Sequence, residues 1–297
     1  MRQLHINIKS ALKAFELTYK TVFGAQLLGN YQSLFKGTGL EFDGYSNYGP
    51  TDDSKFIDWK ASLKANTLLK REYSEERNMN IFFLIGATGS MIYTTTNKLK
   101  AEYAGELIIS LAHVMMQKKD LVGFAIFNNK IETFQPPSCK AAQFHSLITS
   151  VSNTDYYREN CDLTSALNFA FDTLKPKTTV LIISDFIGLI PGWEQALKKA
   201  STKFDIMAML VRDPADFALP ESRAQQAAMR SSYSSRIINV RLKSVRDKYK
   251  QHVNEQVLYF KKVFAEYNAD LLILTTDKSF TPPVLHFLAM RKRKRWK

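Results

Sequence analysis

The sequence predicts an α/β fold built on one doubly wound, mostly parallel sheet. Three observations carry that prediction. Ile81 to Ile85 form a short, wholly apolar run, as a strand covered on both faces should. A second such run, Thr178 to Ser184, is apolar and rich in β-branched residues. Segments with helical spacing alternate with these and further strand-like runs, which implies parallel βαβ units. That is the Rossmann-like class, in which ligands bind at the loops where strands end.

Taken in order, residues 6–23 place Ile8, Leu12, Phe15, Tyr19 and Phe23 at spacings of three and four, which predicts an amphipathic helix. Residues 37–59 are rich in Gly, Asp, Asn and Tyr and contain Pro50; they read as loop and turn, with short strands at best. Residues 67–77 set Leu68, Leu69 and Tyr73 among charges. Regular alternation starts at Asn80. After the first strand, a helix over 98–118 presents Leu99, Tyr103, Leu107, Leu111 and Val114 on one face. Leu121 to Phe127 is the next strand, and Asn128-Asn129 signals a tight turn, with Lys130 to Phe134 returning as an antiparallel edge strand. Helices over 141–151 and 163–174, the strand 178–184, a helix over 192–201 and a strand over 204–211 follow. The basic stretch 221–243 has no clear period. A long helix over 244–267, a last strand from Leu271 to Thr275 and a closing helix over 282–291 complete the chain. The organisation expected is an N-terminal extension over 1–77, the α/β domain over 78–291 with a C-terminal elaboration, and a basic tail over 292–297.

Composition narrows the function classes. A 297-residue chain with 45% hydrophobic and 23% charged residues can bury a sizeable core, so disorder is not the default. Two cysteines, Cys139 and Cys161, make neither a disulfide framework nor a CxxC pair, which fits a reducing cytoplasm. No leader pattern is evident, and no run approaches the roughly 18–20 apolar residues of a membrane span. A cytoplasmic location is the expectation. The formal net charge of +13 suits nucleic acid, an anionic membrane surface or an acidic protein, or simply a solvated surface. The run Arg291 to Lys297 is basic except for Trp296, and from composition it should be mobile.

Several short patterns bear on chemistry. The first strand ends in Gly86-Ala87-Thr88-Gly89-Ser90, which suggests a dinucleotide loop. Its third glycine would fall on Ile92, and Asn128-Asn129 stand where an acidic residue should hold the ribose. Gly24 to Gly29 has phosphate-loop spacing, but Asn30-Tyr31 replace the Lys and Ser/Thr that would hold phosphate and metal. The five histidines, His5, His113, His145, His252 and His286, show no metal-ligand spacing. Neither GxSxG nor HExxH occurs.

A family resemblance rests on other residues. Gly37-Thr38-Gly39-Leu40-Glu41-Phe42, then Tyr48, Asp52-Asp53 and Ile57-Asp58-Trp59, resemble the pattern of the domain-of-unknown-function 58 family. Thr51 stands for that pattern's glycine and Lys55 for its arginine. Arg212-Asp213-Pro214, Leu219-Pro220 and a closing helix ending at Arg291 are similar to the family as well.

The resemblance implies a von Willebrand factor A-like domain over roughly residues 78–275. Such domains carry a metal-ion-dependent adhesion site, where Mg²⁺ takes oxygen ligands from a DxSxS loop, a later Thr and an Asp after the central strand. Here DxSxS falls on Gly86, Thr88 and Ser90, the later Thr on Cys161 and the last Asp on Asp185. Thr88, Ser90 and Asp185 keep ligand types. Gly86 lacks a carboxylate, and Cys161 is a soft ligand that suits a hard cation poorly. Asp162 could compensate, although its position suits a helix cap. The site is thus read as degenerate, with no cofactor expected and Mg²⁺ as the ion the pattern would take. Asp52, Asp53 and Asp58 would form a second metal cluster or, on the preferred reading, cap turns and pair with Lys55 or Arg71.

Functionally, the resemblance implies a non-catalytic scaffold or adaptor acting with a MoxR-type AAA+ ATPase or its client in protein remodelling or assembly. The alternatives are a nucleotide-binding enzyme using Gly86 to Ser90, and a nucleic-acid or anionic-surface binder using the basic charge.

Overall fold

The computed structural model describes residues 4–23, 41–49, 52–74, 78–158, 160–219, 226–230 and 237–294. Gly24 to Leu40, with the phosphate-loop spacing and the first residues of the family pattern, lie outside them. So do Pro50, Thr51, Pro220 and Arg295 to Lys297, and the side chains of Glu41, Phe42 and Arg71.

The central sheet is the predicted one. Its strands are β3 (Asn80–Gly86), β4 (Leu121–Phe127), β5 (Ile131–Ser138), β6 (Thr179–Ser184), β7 (Asp205–Arg212) and β10 (Asp270–Thr275), in the order β10-β7-β6-β3-β4-β5. All neighbours pair parallel except β4 with β5, which run antiparallel at one edge. β3 and β6 are adjacent and central, with Ile81 opposite Thr179 and Ile85 opposite Ile183.

Why these runs had to be apolar throughout is visible in the core. Ile81, Phe83 and Ile85 of β3 point into one hydrophobic cluster, while Phe82 and Leu84 point into another. β6 divides the same way, Leu181 and Ile183 against Val180 and Ile182. A strand's side chains alternate between faces, so burial on both sides favours apolar residues through its middle, with polar ones such as Thr179 and Ser184 at the strand ends.

The first cluster lies under α1 (Ile8–Phe23), α3 (Lys100–Gln117), α4 (Ala141–Val151) and α8 (Thr281–Lys294). The second lies under α5 (Leu163–Thr173), α6 (Trp193–Ser201) and α7 (Leu242–Glu266). There Trp193, Phe260 and Phe264 pack ring against ring, with centroids 5.8 Å apart from Trp193 to each phenylalanine.

α3 departs from its predicted one-sided face. Ala101, Ala104, Ile108, Ile109 and Ala112 are buried as well as Tyr103, Leu107, Leu111 and Val114 of the predicted stripe. The N-terminal segment covers its outer side. Leu4, Ala11 and Phe15 join the same core, and a Cβ at Gly105 would meet Ile6 Cδ1 at 2.6 Å. The segment is also tied by its backbone: His5 N–H donates to Glu102 at 2.9 Å and Asn7 N–H to Glu106 at 3.2 Å.

The region read as loop and turn is more ordered than expected. β1 (Glu41–Asn47) pairs antiparallel with β2 (Leu69–Ser74), with a bulge between Phe42 and Gly44. A short 3-10 turn, Ser54–Phe56, and α2 (Trp59–Ala65) lie between them. β1 has a turn-like composition, and its partner is distant in sequence, so a local reading misses it. The stretch without a clear period contains β8 (Gln226–Arg230) and β9 (Ile237–Arg241), an antiparallel pair. The closing helix runs past Arg291 to Lys294, so part of the expected tail is helical. Arg291, 7% exposed, anchors that helix through ion contacts of 2.6 Å each to Asp205 and Asp270.

One buried carboxylate strains this scaffold. Asp120 is 8% exposed and accepts the Met79 N–H at 2.9 Å. Burial pushes its carboxyl up to about 6, against the pull of that N–H and of Lys118. A pKa raised on folding means the native state binds the proton more tightly, so stability falls as pH rises from the ordinary carboxylate range through about 6. Asp120→Asn keeps an acceptor and removes the charge. It should stabilise the protein by about 1–2 kcal/mol at neutral pH, with no advantage near pH 4, in urea titrations at both pH values.

Candidate functional site

Chain order reverses between β3 and β6: β4 and β5 build one side of the sheet, β6, β7 and β10 the other. In open α/β sheets this switch point leaves a crevice at the strand ends. The loop after β3 places Thr88 and Ser90 there, and the end of β6 places Asp185.

These residues do meet. Thr88 Oγ1 lies 3.0 Å from Ser90 Oγ and donates to Asp185 Oδ1 at 3.4 Å. Thr88 and Asp185 are fully buried and Ser90 is 3% exposed. Asp185 Oδ1 also accepts the Ile187 N–H at 3.1 Å. The rest of the loop is closed over as well: Ala87 N–H donates to Phe127 O at 2.7 Å and Met91 N–H to Thr88 O at 3.0 Å.

The two altered positions lie beside this group. A Cβ at Gly86 would stand 2.6 Å from Ser184 Oγ and 2.7 Å from Ser184 Cβ. A larger residue is therefore excluded unless Ser184 moves, and Ser184 Oγ is engaged by the Phe186 N–H at 3.1 Å. Cys161 Sγ is 3.9 Å from Ser184 Oγ, and burial, then the nearby Asp185 charge, push its thiol up to about 12. It remains a neutral thiol at physiological pH. Asp162 turns away and caps α5, accepting Ser165 N–H at 3.0 Å and Ser165 Oγ–H at 2.6 Å.

The sequence reading missed the group that dominates the site. Lys100, first residue of α3, extends its ammonium to Asp185 Oδ2 at 2.7 Å and to Asp216 Oδ2 at 2.8 Å. Its side chain is 2% exposed and that of Asp185 0%. Arg212, also buried, donates through Nε to the Asp185 carbonyl at 2.7 Å. One signal for Lys100 was present: a cation at a helix N-terminus opposes the macrodipole and calls for a nearby anion. Two hydroxyls, a neutral thiol and a carboxylate already paired with an ammonium do not fit a hard divalent cation. Among the described residues, no three His, Cys, Asp or Glu side chains gather where they could hold a metal ion.

Next to this cluster, Asp213 organises the loop that leads into α3. Its carboxylate accepts Thr94 Oγ1–H and Thr95 N–H at 2.9 Å, a hydroxyl from Thr95, and Ala215 N–H at 2.9 Å.

The N-terminal aspartates cap and pair, as preferred from sequence, with Lys70, at 2.8 Å, as an ion partner of Asp52; the Arg71 side chain lies outside the described residues. Lys70, then the Gly49 N–H, hold the Asp52 carboxyl below its ordinary range. Tyr48 Oη–H donates to Asp52 O at 3.0 Å. Asp53 accepts Lys55 N–H at 3.1 Å, and Asp58 accepts Lys60 and Ala61 N–H at 3.1 and 3.0 Å, capping α2. Ile57 bridges to Lys70 of β2. Trp59 does not pack inward: it is 64% exposed, and Leu63, one turn on, is 83% exposed.

The sheet order defines a von Willebrand factor A-like α/β fold. The family described as "Protein of unknown function DUF58" matches residues 44–258, and the chain belongs to that family. It is 22% identical over 289 residues to uncharacterized protein Rv1480 of Mycobacterium tuberculosis, a match covering 96% of this chain and 90% of that one. Uncharacterized protein Mb1516 of Mycobacterium bovis matches to the same extent. Similar solved structures include BatB from Bacteroides thetaiotaomicron, at TM-score 0.49 and 16% identity over 73% of this chain and 99% of that one. An aerotolerance-related membrane protein from Bacteroides fragilis has TM-score 0.49 and 15% identity with the same coverage. No described helix of the present chain is long and apolar enough to cross a membrane.

Proposed function

We propose that this chain is a non-catalytic, cytoplasmic adaptor that docks a protein partner on the exposed apolar face of its family pattern. The observation that carries this is the exposure of Trp59 and Leu63. They stand four residues apart on α2 and so share one face, with Phe56, 50% exposed, just before them. Large apolar groups grouped on a surface mark interaction sites, and tryptophan is enriched among the residues that anchor such interfaces. Exposed Lys55, Lys60 and Lys64 flank them, which suits a partner with an acidic rim. The partner we propose, from the family resemblance, is a MoxR-type AAA+ ATPase or its client.

The test uses the purified MoxR-type ATPase of the same organism, with calorimetry in the presence and absence of ATP. Binding by wild type and a loss of about 30-fold or more in Trp59→Ser, with an unchanged melting temperature, is expected. No binding, or equal binding by the variant, rejects this reading.

A further inference from the structure

We propose that the Lys100 ammonium is a built-in cation that takes the place of a divalent ion at the β3–β6 switch point, and that this site works without metal. Three independent features support it. First, both oxygens of Asp185 are committed: Oδ2 to Lys100 at 2.7 Å, Oδ1 to Ile187 N–H at 3.1 Å and Thr88 at 3.4 Å. A metal would have to displace a hydrogen-bonded ammonium from a carboxylate that is 0% exposed. Second, the ammonium is itself fixed from two sides, by Asp185 and by Asp216 at 2.8 Å. Buried Arg212, on the Asp185 carbonyl, adds another positive group. A divalent ion placed among them would meet like charges in a poorly screened interior. Third, the missing carboxylate at position 86 cannot be supplied without moving Ser184, whose Oγ and Cβ occupy that space.

A divalent ion at such a loop cluster leaves one coordination position through which a partner's carboxylate can be captured. A lysine held by two carboxylates and 2% exposed offers no such position. Partner capture through a shared metal is therefore closed here. The loop cluster is held in one charge-balanced state, and metal supply or chelation does not alter it. This inference is independent of the docking face on α2.

The experiment titrates Mn²⁺ and Mg²⁺ into wild type, Lys100→Ala, and the gentler Lys100→Gln, reading melting temperature and the free Mn²⁺ signal by paramagnetic resonance. Wild type should show no shift and no bound Mn²⁺ up to about millimolar concentration, with or without a chelator. Lys100→Ala should melt roughly 5–10 °C lower, because it leaves Asp185 uncompensated. Mn²⁺ should then raise its melting temperature saturably, and adding Asp185→Asn should abolish that response. A variant that folds only when Mn²⁺ is supplied gives the same support. Micromolar Mn²⁺ binding by wild type overturns the proposal. So does the lack of any Mn²⁺ rescue in both lysine variants at about millimolar concentration, since loss of the ammonium leaves the Asp185 and Asp216 carboxylates uncompensated beside the Thr88 and Ser90 hydroxyls.

Discussion

Lys100→Met will lower folding stability by about 3–5 kcal/mol at neutral pH, the usual loss when one partner of a buried ion pair is removed. Methionine fills much of the same volume, so the loss is electrostatic and not a cavity effect. The penalty falls chiefly on Asp185, which is 0% exposed, whereas the Asp216 side chain keeps 18% exposure and some solvation. Asp185→Asn in the Lys100→Met background should therefore recover part of the loss, since an amide oxygen still accepts from Thr88 and Ile187. Urea denaturation of wild type, both single variants and the double variant gives the coupling directly. A single-variant loss below about 1 kcal/mol would show that the pair is solvated, as surface pairs are.

Asp213→Ala will cost about 3 kcal/mol and will loosen the loop from Thr94 to Lys98. Asp213 is 3% exposed and accepts from Thr94, from Thr95 twice, from Ala215, and from Thr276 at 3.3 Å. Truncation would leave the Thr95 and Ala215 amides without this acceptor, and these part-buried donors lose up to the roughly 1–3 kcal/mol that a fully buried unpaired donor costs. The rest comes from the lost Thr94, Thr95 and Thr276 hydroxyl contacts. Burial works against the Asp213 charge, but the Thr95 hydroxyl and N–H, the Ala215 N–H and the Thr94 hydroxyl outweigh it, and the folded pKa is lowered. A lowered pKa gives stability that is fully present above the ordinary carboxylate value and is lost as pH falls through the folded value. The gap between wild type and Asp213→Ala should accordingly stay constant from neutral pH to about pH 4 and shrink only in stronger acid. Hydrogen exchange should report the loosened loop, with faster exchange at Thr95. Unchanged exchange there would show that Asp213 does not hold the loop.

How much of the site was legible depended on the kind of relation involved. Thr88, Ser90 and Asp185 were reached through the family resemblance, whose loop pattern falls within a few residues of the ends of two apolar strands, and a parallel sheet brings strand ends to one edge. Asp162 is legible as a cap because capping is local, set by one residue and the next turn. Lys100 is not: its partners Asp185 and Asp216 are reached across |i−j| of 85 and 116. Asp213 shows the same limit, since its donors Thr95 and Thr94 precede it by 118 and 119 positions. The obstruction at Gly86 comes from Ser184 on the neighbouring strand, which no inspection of the Gly86 loop could reveal.

The sequence by itself determined the sheet. The middle of β3, Ile81 to Ile85, and of β6, Val180 to Ile183, needed apolar residues because both faces are covered, and that requirement is written in consecutive residues. It also determined the α5 cap and the family pattern around Trp59, with Asp58 read as a turn cap rather than as the cap of α2. Tertiary structure alone decided that α3 is buried nearly all round, because the segment from Leu4 to Phe15 packs on its outer side. It alone paired β1 with β2, whose composition reads as turn. It alone placed a lysine ammonium against the carboxylate expected to face a metal. The physical reason is common to all three. Periodicity and capping act over one or two turns of chain, while burial and charge pairing are set by whatever residues the fold brings within a few ångströms, however far apart they lie in sequence.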